Sequence, residues 1–150
     1  MLVGDIMRRE VTTVRGDEDF AAAARLMHER HISSLIVTDG SRPAGILTER
    51  DVVNVVAEGL DPAATRVRDR MSTDLATVTP RDDVAEAARL MAERGIRHLP
   101  VVRKDDLVGI ISIRDLITWA VEELTGGHEL ADVARGAATL SHAVRAERRA

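Results

Sequence analysis

Apolar residues change their spacing several times along this chain, and each change predicts an element. A β-branched run at residues 11–14 (VTTV) is too short for a helix and suits an edge strand or an extended lead-in. The next apolar residues fall at i, i+3, i+4 and i+7, which predicts an amphipathic helix ending near His31. The apolar stripe of this helix consists of Phe20, Ala23, Ala24 and Met27.

Two short apolar runs follow the helix, with a turn signal between them. Residues 35–37 and 44–47 have the length of buried strands, and Asp39-Gly40 separates them, so the pair predicts a β-hairpin. Thr48 is then a good N-cap for a second helix, and Asp51 falls at the third helical position. The apolar residues of this helix before Gly59 are Val52, Val53, Val55 and Val56.

This whole pattern occurs twice. The heptapeptide GILTERD at Gly45 returns as GIISIRD at Gly109, 64 residues later (109 − 45). Many other positions match at this same interval without a gap, and we call it the repeat offset. The second copy predicts a helix over 81–94, capped by Thr79 and begun by Pro80. Strands at 99–102 and 107–111 and a helix from Ser112 to Leu124 complete this copy.

The repetition sets the expected domain organisation. Each copy reads β-α-β-β-α, and two copies in register indicate that each covers an apolar face that the other leaves bare. We therefore expect an α+β fold with repeats at 1–60 and 61–124. The remaining residues, 125–150, predict a helical tail, because apolar residues recur there at helical spacing: Leu130, Val133, Ala134, Ala137, Leu140 and Val144.

Composition narrows the possible functions. The 150 residues are 45% hydrophobic and 31% charged, which is typical of a globular protein. A net charge of -4, one Trp and one Phe argue against a nucleic-acid partner. The absence of cysteine excludes disulfides and thiol chemistry. No apolar run has the length of a signal peptide or a membrane span, so we expect a cytoplasmic protein without a membrane partner.

The repeated motifs resemble those of the cystathionine-β-synthase (CBS) domain pair, also called a Bateman module. They are the lead-in Val-x-Asp-x-Met, the strand at 96–102, and the closing Gly-aliphatic-aliphatic-Thr/Ser-x-x-Asp, and together they span roughly residues 3–121. The resemblance implies two CBS repeats related by a pseudo-twofold axis. It also implies a regulatory module without catalytic activity or a required cofactor, which binds AMP, ADP, ATP or S-adenosylmethionine between the repeats.

The residues give this implication a chemical basis. A hydroxyl that caps a helix offers free N–H groups to a phosphate, and a carboxylate one turn later can accept both hydroxyls of a ribose. The resemblance implies that each pocket takes this pair from one copy and its base contacts from the other. One pocket then contains Thr48, Asp51, Ile46, Ala76, Ile96, Arg97 and His98. The other contains Ser112, Asp115, Ile110, Thr12, Ile32 and Ser33. We expect the first pocket to bind more tightly, because it alone has the positive charge of Arg97 and His98.

Several simpler interpretations remain open. Thr48 with Asp51 is also an ordinary helix cap, so a ligand-free scaffold that dimerises through its exposed helices is the alternative function. His28 and His31 could chelate a metal, but no third ligand is near in sequence, and we assign no metal site. No nucleophile elbow, Cys–His pair or P-loop indicates an enzyme. We expect a homodimer formed through the helices after the hairpins, and an effector protein that the sequence does not identify.

Overall fold

The structure is a computed structural model that describes residues 1–124. Its backbone divides into a first unit, Met1–Ser112, and a second unit that begins at Ile113. The first unit contains, in order, α1 (Val3–Ile6), β1 (Thr13–Arg15), α2 (Phe20–Arg30), β2 (Ser34–Asp39), β3 (Arg42–Thr48), α3 (Glu49–Ala57), a 3-10 turn (Val67–Asp69), α4 (Val84–Arg94), β4 (His98–Arg103) and β5 (Asp106–Ser112). The second unit begins with α5 (Ile113–Leu124). The predicted tail helix lies outside the described residues.

The helices α2 and α4 occupy equivalent places in the two copies and begin and end in the same way. The carboxylate of Asp19 accepts the Ala22 N–H at 2.7 Å, and that of Asp83 accepts the Ala85 N–H at 2.8 Å. Each helix then ends at a left-handed residue, His31 with φ 54° and Gly95 with φ 63°. The predicted end of the first helix near His31 is confirmed.

The predicted start of α4 was wrong. Thr79 was expected to cap a helix beginning at residue 81, whereas α4 begins at Val84 with Asp83 as its cap. The reason is a local turn, in which the Thr79 N–H and hydroxyl both donate to the Asp82 carboxylate, at 2.7 and 2.8 Å. Asp82 is thereby committed to Thr79, and the next carboxylate caps the helix.

The strands form one sheet in each copy, and the second sheet is smaller. In the first copy β1 pairs in parallel with β2, which pairs antiparallel with β3. In the second copy β4 pairs antiparallel with β5, but the counterpart of β1 is reduced to one parallel bridge between Val78 and Val101. The prediction of a full first strand in both copies is thus correct only for the first copy.

A proline accounts for this loss. Ile36 is the first β2 partner of β1, and Pro100 occupies the corresponding position of copy two at the repeat offset. Proline has no N–H to donate, so the parallel ladder loses a hydrogen bond at that point. Two bonds remain, from the Val78 N–H to the Pro100 carbonyl at 3.1 Å and from the Val102 N–H to the Val78 carbonyl at 2.8 Å.

The core of the first copy includes a residue of the second copy. Val67, from the lead-in of copy two, is fully buried together with residues from α2, β2 and β3. Burial of each large aliphatic side chain contributes about 1.5–3 kcal/mol, so this residue is part of the stability of copy one. The buried members of the cluster are Val14, Phe20, Ala23, Met27, Leu35, Val37, Leu47, Val55 and Val67.

The lead-ins are exchanged between the two copies. Ile46 on β3 and Ser72 form a pair of reciprocal backbone hydrogen bonds, both 2.9 Å long. The equivalent residues Ile110 and Arg8 repeat this arrangement with the same two lengths. Because each copy's last strand receives the other copy's lead-in, the two copies are related by a pseudo-twofold operation. The α+β class and the pseudo-symmetric repeats are therefore confirmed.

The exchange of lead-ins explains why each repeated heptapeptide begins with glycine, at Gly45 and at Gly109. A Cβ atom on Gly45 would lie 2.5 Å from the Met71 sulfur and 3.0 Å from the Ser72 carbonyl oxygen. A Cβ atom on Gly109 would lie 2.8 Å from the Met7 sulfur and 2.9 Å from the Arg8 carbonyl oxygen. Each glycine lets the exchanged lead-in approach the strand closely.

Candidate functional site

The candidate site is built at the junction of β3 and α3. Thr48 is the last residue of β3 and the N-cap of α3, and Asp51 occupies the third helical position as predicted. The Asp51 carboxylate accepts the Thr48 N–H at 2.7 Å and the Thr48 hydroxyl at 2.9 Å. Both bonds end on Oδ2. A carboxylate has about four acceptor sites, so the sites on Oδ1 stay available to a ligand.

The first helical N–H of α3 also has an internal acceptor. Glu49 donates its N–H to the Ser33 carbonyl at 3.1 Å, and Ser34 pairs with Thr48 across the hairpin. These bonds fix the direction in which α3 leaves the strand. They also mean that a phosphate at this helix end would find the Thr48 and Glu49 N–H groups already engaged.

Ala76 lies on a segment that connects the two copies. Ser72, four residues before Ala76, is bonded to Ile46 on β3, and Val78, two residues after it, bridges to β4. The segment therefore runs from the strand that precedes Thr48 to the strand that follows Ile96 and Arg97.

The other expected members of that pocket are found at the beginning of β4. Arg97 is exposed, whereas Ile96 and His98 are half-buried, and His98 opens β4 opposite Ser112. Within residues 1–124, the hydrogen bonds of the Asp51 carboxylate come from Thr48 and none comes from Arg97 or His98. The structure thus joins Thr48 and Asp51 by hydrogen bonds, and Ile46 lies two residues before Thr48 on β3.

Near the residues expected in the second pocket, the lead-in makes the same backbone hydrogen bonds as near the first. Thr12 lies on the segment between Arg8, which is bonded to Ile110, and β1. Ile32 and Ser33 connect α2 to β2, and Ser112 ends β5. Asp115 lies on α5 in the second unit. All thirteen expected residues are half-buried except the exposed Arg97, the degree of burial suited to the wall of an accessible cleft.

A cavity of about 200 Å³ adjoins Asp51 and adds residues that the sequence did not single out. Asn54 and Glu58 extend the face of Asp51 along α3, and their helical spacing from Asp51 was the available signal. Asp69, Arg70 and Met71 come from the lead-in motif, and an Arg70–Glu58 ion pair spans the cavity wall. The lining therefore carries three carboxylates and one guanidinium that is already paired.

The described residues contain neither a cluster of metal ligands nor a helix that could span a membrane. Among residues 1–124, no three His, Cys, Asp or Glu side chains lie close enough to hold a metal ion. The rings of His28 and His31 contact edge to face, with their centroids 6.4 Å apart. Within the same residues, no helix combines the length and the apolar character required to cross a bilayer.

Comparison with known proteins identifies the repeated unit. The CBS-domain family model matches residues 3–58 and again residues 67–122. Protein MK0525 of Methanopyrus kandleri is 40% identical over 118 residues, which are 77% of this chain and 60% of that protein. The CBS domain-containing protein YhcV of Bacillus subtilis is 33% identical over 132 residues, which are 87% of this chain and 94% of YhcV.

A solved structure agrees with these sequence matches. The hexameric CBS-CP12 protein from bloom-forming cyanobacteria superposes with a TM-score of 0.74 at 33% identity. The superposition covers 99% of this chain and 88% of that chain.

Proposed function

Because the chain belongs to the CBS-domain family and carries two CBS domains in tandem, we propose that it is a non-catalytic sensor that binds an adenosine-containing ligand beside α3. AMP, ADP, ATP and S-adenosylmethionine are the ligands that share the required nucleoside. The observation that carries the proposal is the half-buried Asp51 carboxylate, held by Thr48 through Oδ2 alone.

The two acceptor sites on Oδ1 match the two hydroxyls of a ribose. The half-buried Ile46 and Ile96 supply aliphatic surfaces for the faces of an adenine, since the chain has almost no aromatic residues for stacking. Ala76, between the two copies, leaves room for the ring. Binding at this place would join copy one to copy two and alter the surface offered to an effector protein.

Association into a homodimer is the second part of the proposal. Val53 and Val56 on α3 are 64% and 67% exposed, and Leu60, which follows the end of α3, is 39% exposed. Such exposed stripes favour self-association. On α5, Ile117 is 57% exposed. Two of the apolar residues on these helices, Val55 and Leu116, are buried inside the chain and are therefore left out of the proposed interface.

A ligand-free scaffold is the second candidate function. It is favoured by the hydrogen bonds between Asp51 and Thr48, which a helix cap would make without any ligand. In this case the exposed valines of α3 would be the functional surface, and the cleft beside Asp51 would bind no ligand.

Thermal denaturation with added nucleotides separates the two functions. A ligand that binds only the folded state stabilises it by about 2.7 kcal/mol at a hundredfold excess over Kd. We expect one of the four adenosine compounds to raise the Tm, and guanine nucleotides to raise it less. If all four leave the Tm unchanged at millimolar concentration, the scaffold is the correct function.

A further inference from the structure

A second cavity, of about 250 Å³, lies at the opposite end of the hairpin from the α3 cap. It includes the turn residues Gly40 and Ser41, which the length of β3 separates from Thr48 by roughly 20 Å. We name it the hairpin-end cavity. Its lining residues are Arg9, Val11, Thr13, Thr38, Gly40, Ser41 and Leu107.

This cavity and the expected nucleotide pockets use different sides of the lead-in. Arg9, Val11 and Thr13 alternate along the segment that enters β1, so one side of that segment faces the hairpin-end cavity. Thr12, which was assigned to a nucleotide pocket, lies between two of them and is not among the lining residues. The hairpin-end cavity is therefore a separate place in the molecule.

The polar groups of the cavity suit an oxyanion. Arg9 provides a guanidinium that makes no hydrogen bond or ion pair within residues 1–124. The hydroxyls of Thr13 and Thr38 add donors, and no carboxylate is among the lining residues. Arginine with hydroxyl donors is the usual recognition chemistry for carboxylates and phosphates. The hydroxyl of Ser41 donates to Asp106 of the other hairpin.

The two copies differ at the polar positions of this cavity. At the repeat offset, Arg9, Thr38 and Ser41 correspond to Thr73, Val102 and Asp105. The guanidinium is thereby absent from the second copy, one hydroxyl is replaced by a methyl group, and the other by a carboxylate. Repetition of the fold alone does not require Arg9 or Thr38, since copy two forms the same hairpin without them.

The hydrogen bond that joins the two hairpin ends also has no counterpart at the repeat offset. The Leu107 N–H donates to the Ser41 carbonyl at 3.0 Å and joins the two hairpin ends. The symmetry-related bond would need an N–H at Pro43, which has none. Among the described residues, the backbone bond between the hairpin ends is therefore made at Leu107, beside the side-chain bond from Ser41 to Asp106, and it brings an apolar side chain to the cavity wall.

From these residues we propose that the hairpin-end cavity binds a small organic oxyanion, a carboxylate or a phosphate monoester with a short aliphatic group. The oxyanion is held by Arg9 with Thr13 and Thr38, and the aliphatic group contacts Val11 and Leu107. The proposal does not depend on nucleotide binding beside α3.

Titration followed by amide NMR of the full chain tests the proposal with butyrate, butyl phosphate and inorganic phosphate as probes. We expect saturable shifts at the amides of Gly40, Ser41 and Leu107 with at least one organic probe, and weaker binding of inorganic phosphate. Butyrate and butyl phosphate distinguish a carboxylate site from a phosphate site. Shifts confined to residues 49–51 would place the anion at the α3 cap and overturn the proposal, as would the absence of saturable shifts.

Variants assign the binding to Arg9. Arg9→Gln is expected to weaken the organic oxyanion about tenfold, because it removes a charge-assisted hydrogen bond. Arg25→Gln, which removes an equally exposed arginine from α2, is the matched control and should leave the affinity unchanged. Thr38→Val, which introduces the copy-two residue, should weaken binding about threefold. Equal losses in both arginine variants would indicate a general charge effect and contradict the site.

Discussion

The two CBS copies of this chain share their backbone connections but differ in the residues around them. The exchanged lead-ins make the same pair of 2.9 Å hydrogen bonds at Ile46 and at Ile110. In contrast, β1 of copy one is a three-residue strand, and its counterpart in copy two is one bridge at Val78. The exchange of lead-ins is therefore the same in both halves, whereas the first-strand edge of the sheet differs between them.

The largest expected effect is on nucleotide affinity, and it distinguishes Asp51 from Asp115. If Asp51 accepts two ribose hydroxyls, Asp51→Ala removes two charge-assisted bonds and weakens nucleotide binding by about 3 kcal/mol, or roughly a hundredfold. Asp115→Ala should weaken binding less, because its expected pocket contains Ile32 and Ser33 in place of Arg97 and His98. Calorimetric titration of both variants beside the unmodified chain measures the difference.

Asp82 provides the matched control for this comparison. Its carboxylate accepts the N–H and hydroxyl of Thr79 just as that of Asp51 accepts those of Thr48, at the same spacing. Asp82→Ala should therefore lower stability to a similar extent, by about 1 kcal/mol for the lost local hydrogen bonds, with no effect on nucleotide affinity. Unchanged affinity in a folded Asp51→Ala protein would leave Asp51 as a capping residue only.

The next largest effect is on the free energy of unfolding, and it concerns the glycines that contact the exchanged lead-ins. Gly109→Ala should lower the free energy of unfolding by about 1–3 kcal/mol, because its Cβ would crowd the Arg8 carbonyl oxygen at 2.9 Å. Gly45→Ala should cost a similar amount, since its Cβ would likewise crowd a methionine sulfur, at 2.5 Å, and a backbone carbonyl oxygen, at 3.0 Å. Urea denaturation measures both.

Gly40→Ala separates crowding from backbone strain. A Cβ atom there meets nothing within 4 Å, but φ is +61°, so only the left-handed conformation is penalised, by about 1 kcal/mol. If Gly109→Ala costs no more than Gly40→Ala, close approach of the exchanged lead-in is not the reason for glycine at that position.

The smallest effect tests the ends of the paired helices. His31 adopts the left-handed conformation that Gly95 adopts in copy two. His31→Gly should therefore raise the free energy of unfolding by about 0.5–1 kcal/mol, and Gly95→His should lower it by a similar amount. The midpoints of urea denaturation give both changes. A loss of stability in His31→Gly would show that the His28 ring contact outweighs the strain.

Local features of this fold were predictable because local residues determine them. The helical spacing from Phe20 to Met27 predicted α2, and the gapless repetition predicted the second copy. Asp51 at the third position of α3 followed from Thr48 as a cap. The start of α4 could not be predicted with the same rule, since Thr79 and Asp83 are both capping residues and only the Asp82 turn selects between them.

Features that depend on both copies were beyond the sequence pattern. Periodicity shows which face of the strand containing Ile46 is apolar, but it does not show that the backbone next to Ile46 is that of Ser72. For the same reason, the contribution of Arg70 and Asp69 to the cavity beside Asp51 was missed. Ligand binding by the thirteen expected site residues stays a prediction, to be decided by the titrations above.

The exchanged lead-ins have an evolutionary consequence. An isolated copy would have Gly109 or Gly45 on its last strand facing solvent, with its own lead-in unable to fold back onto it. A single-copy ancestor of this fold would therefore complete its sheet by trading lead-ins between two molecules. Duplication and fusion of such a copy would convert that intermolecular exchange into an intramolecular one, and each half would then be able to change its outer surface independently of the other.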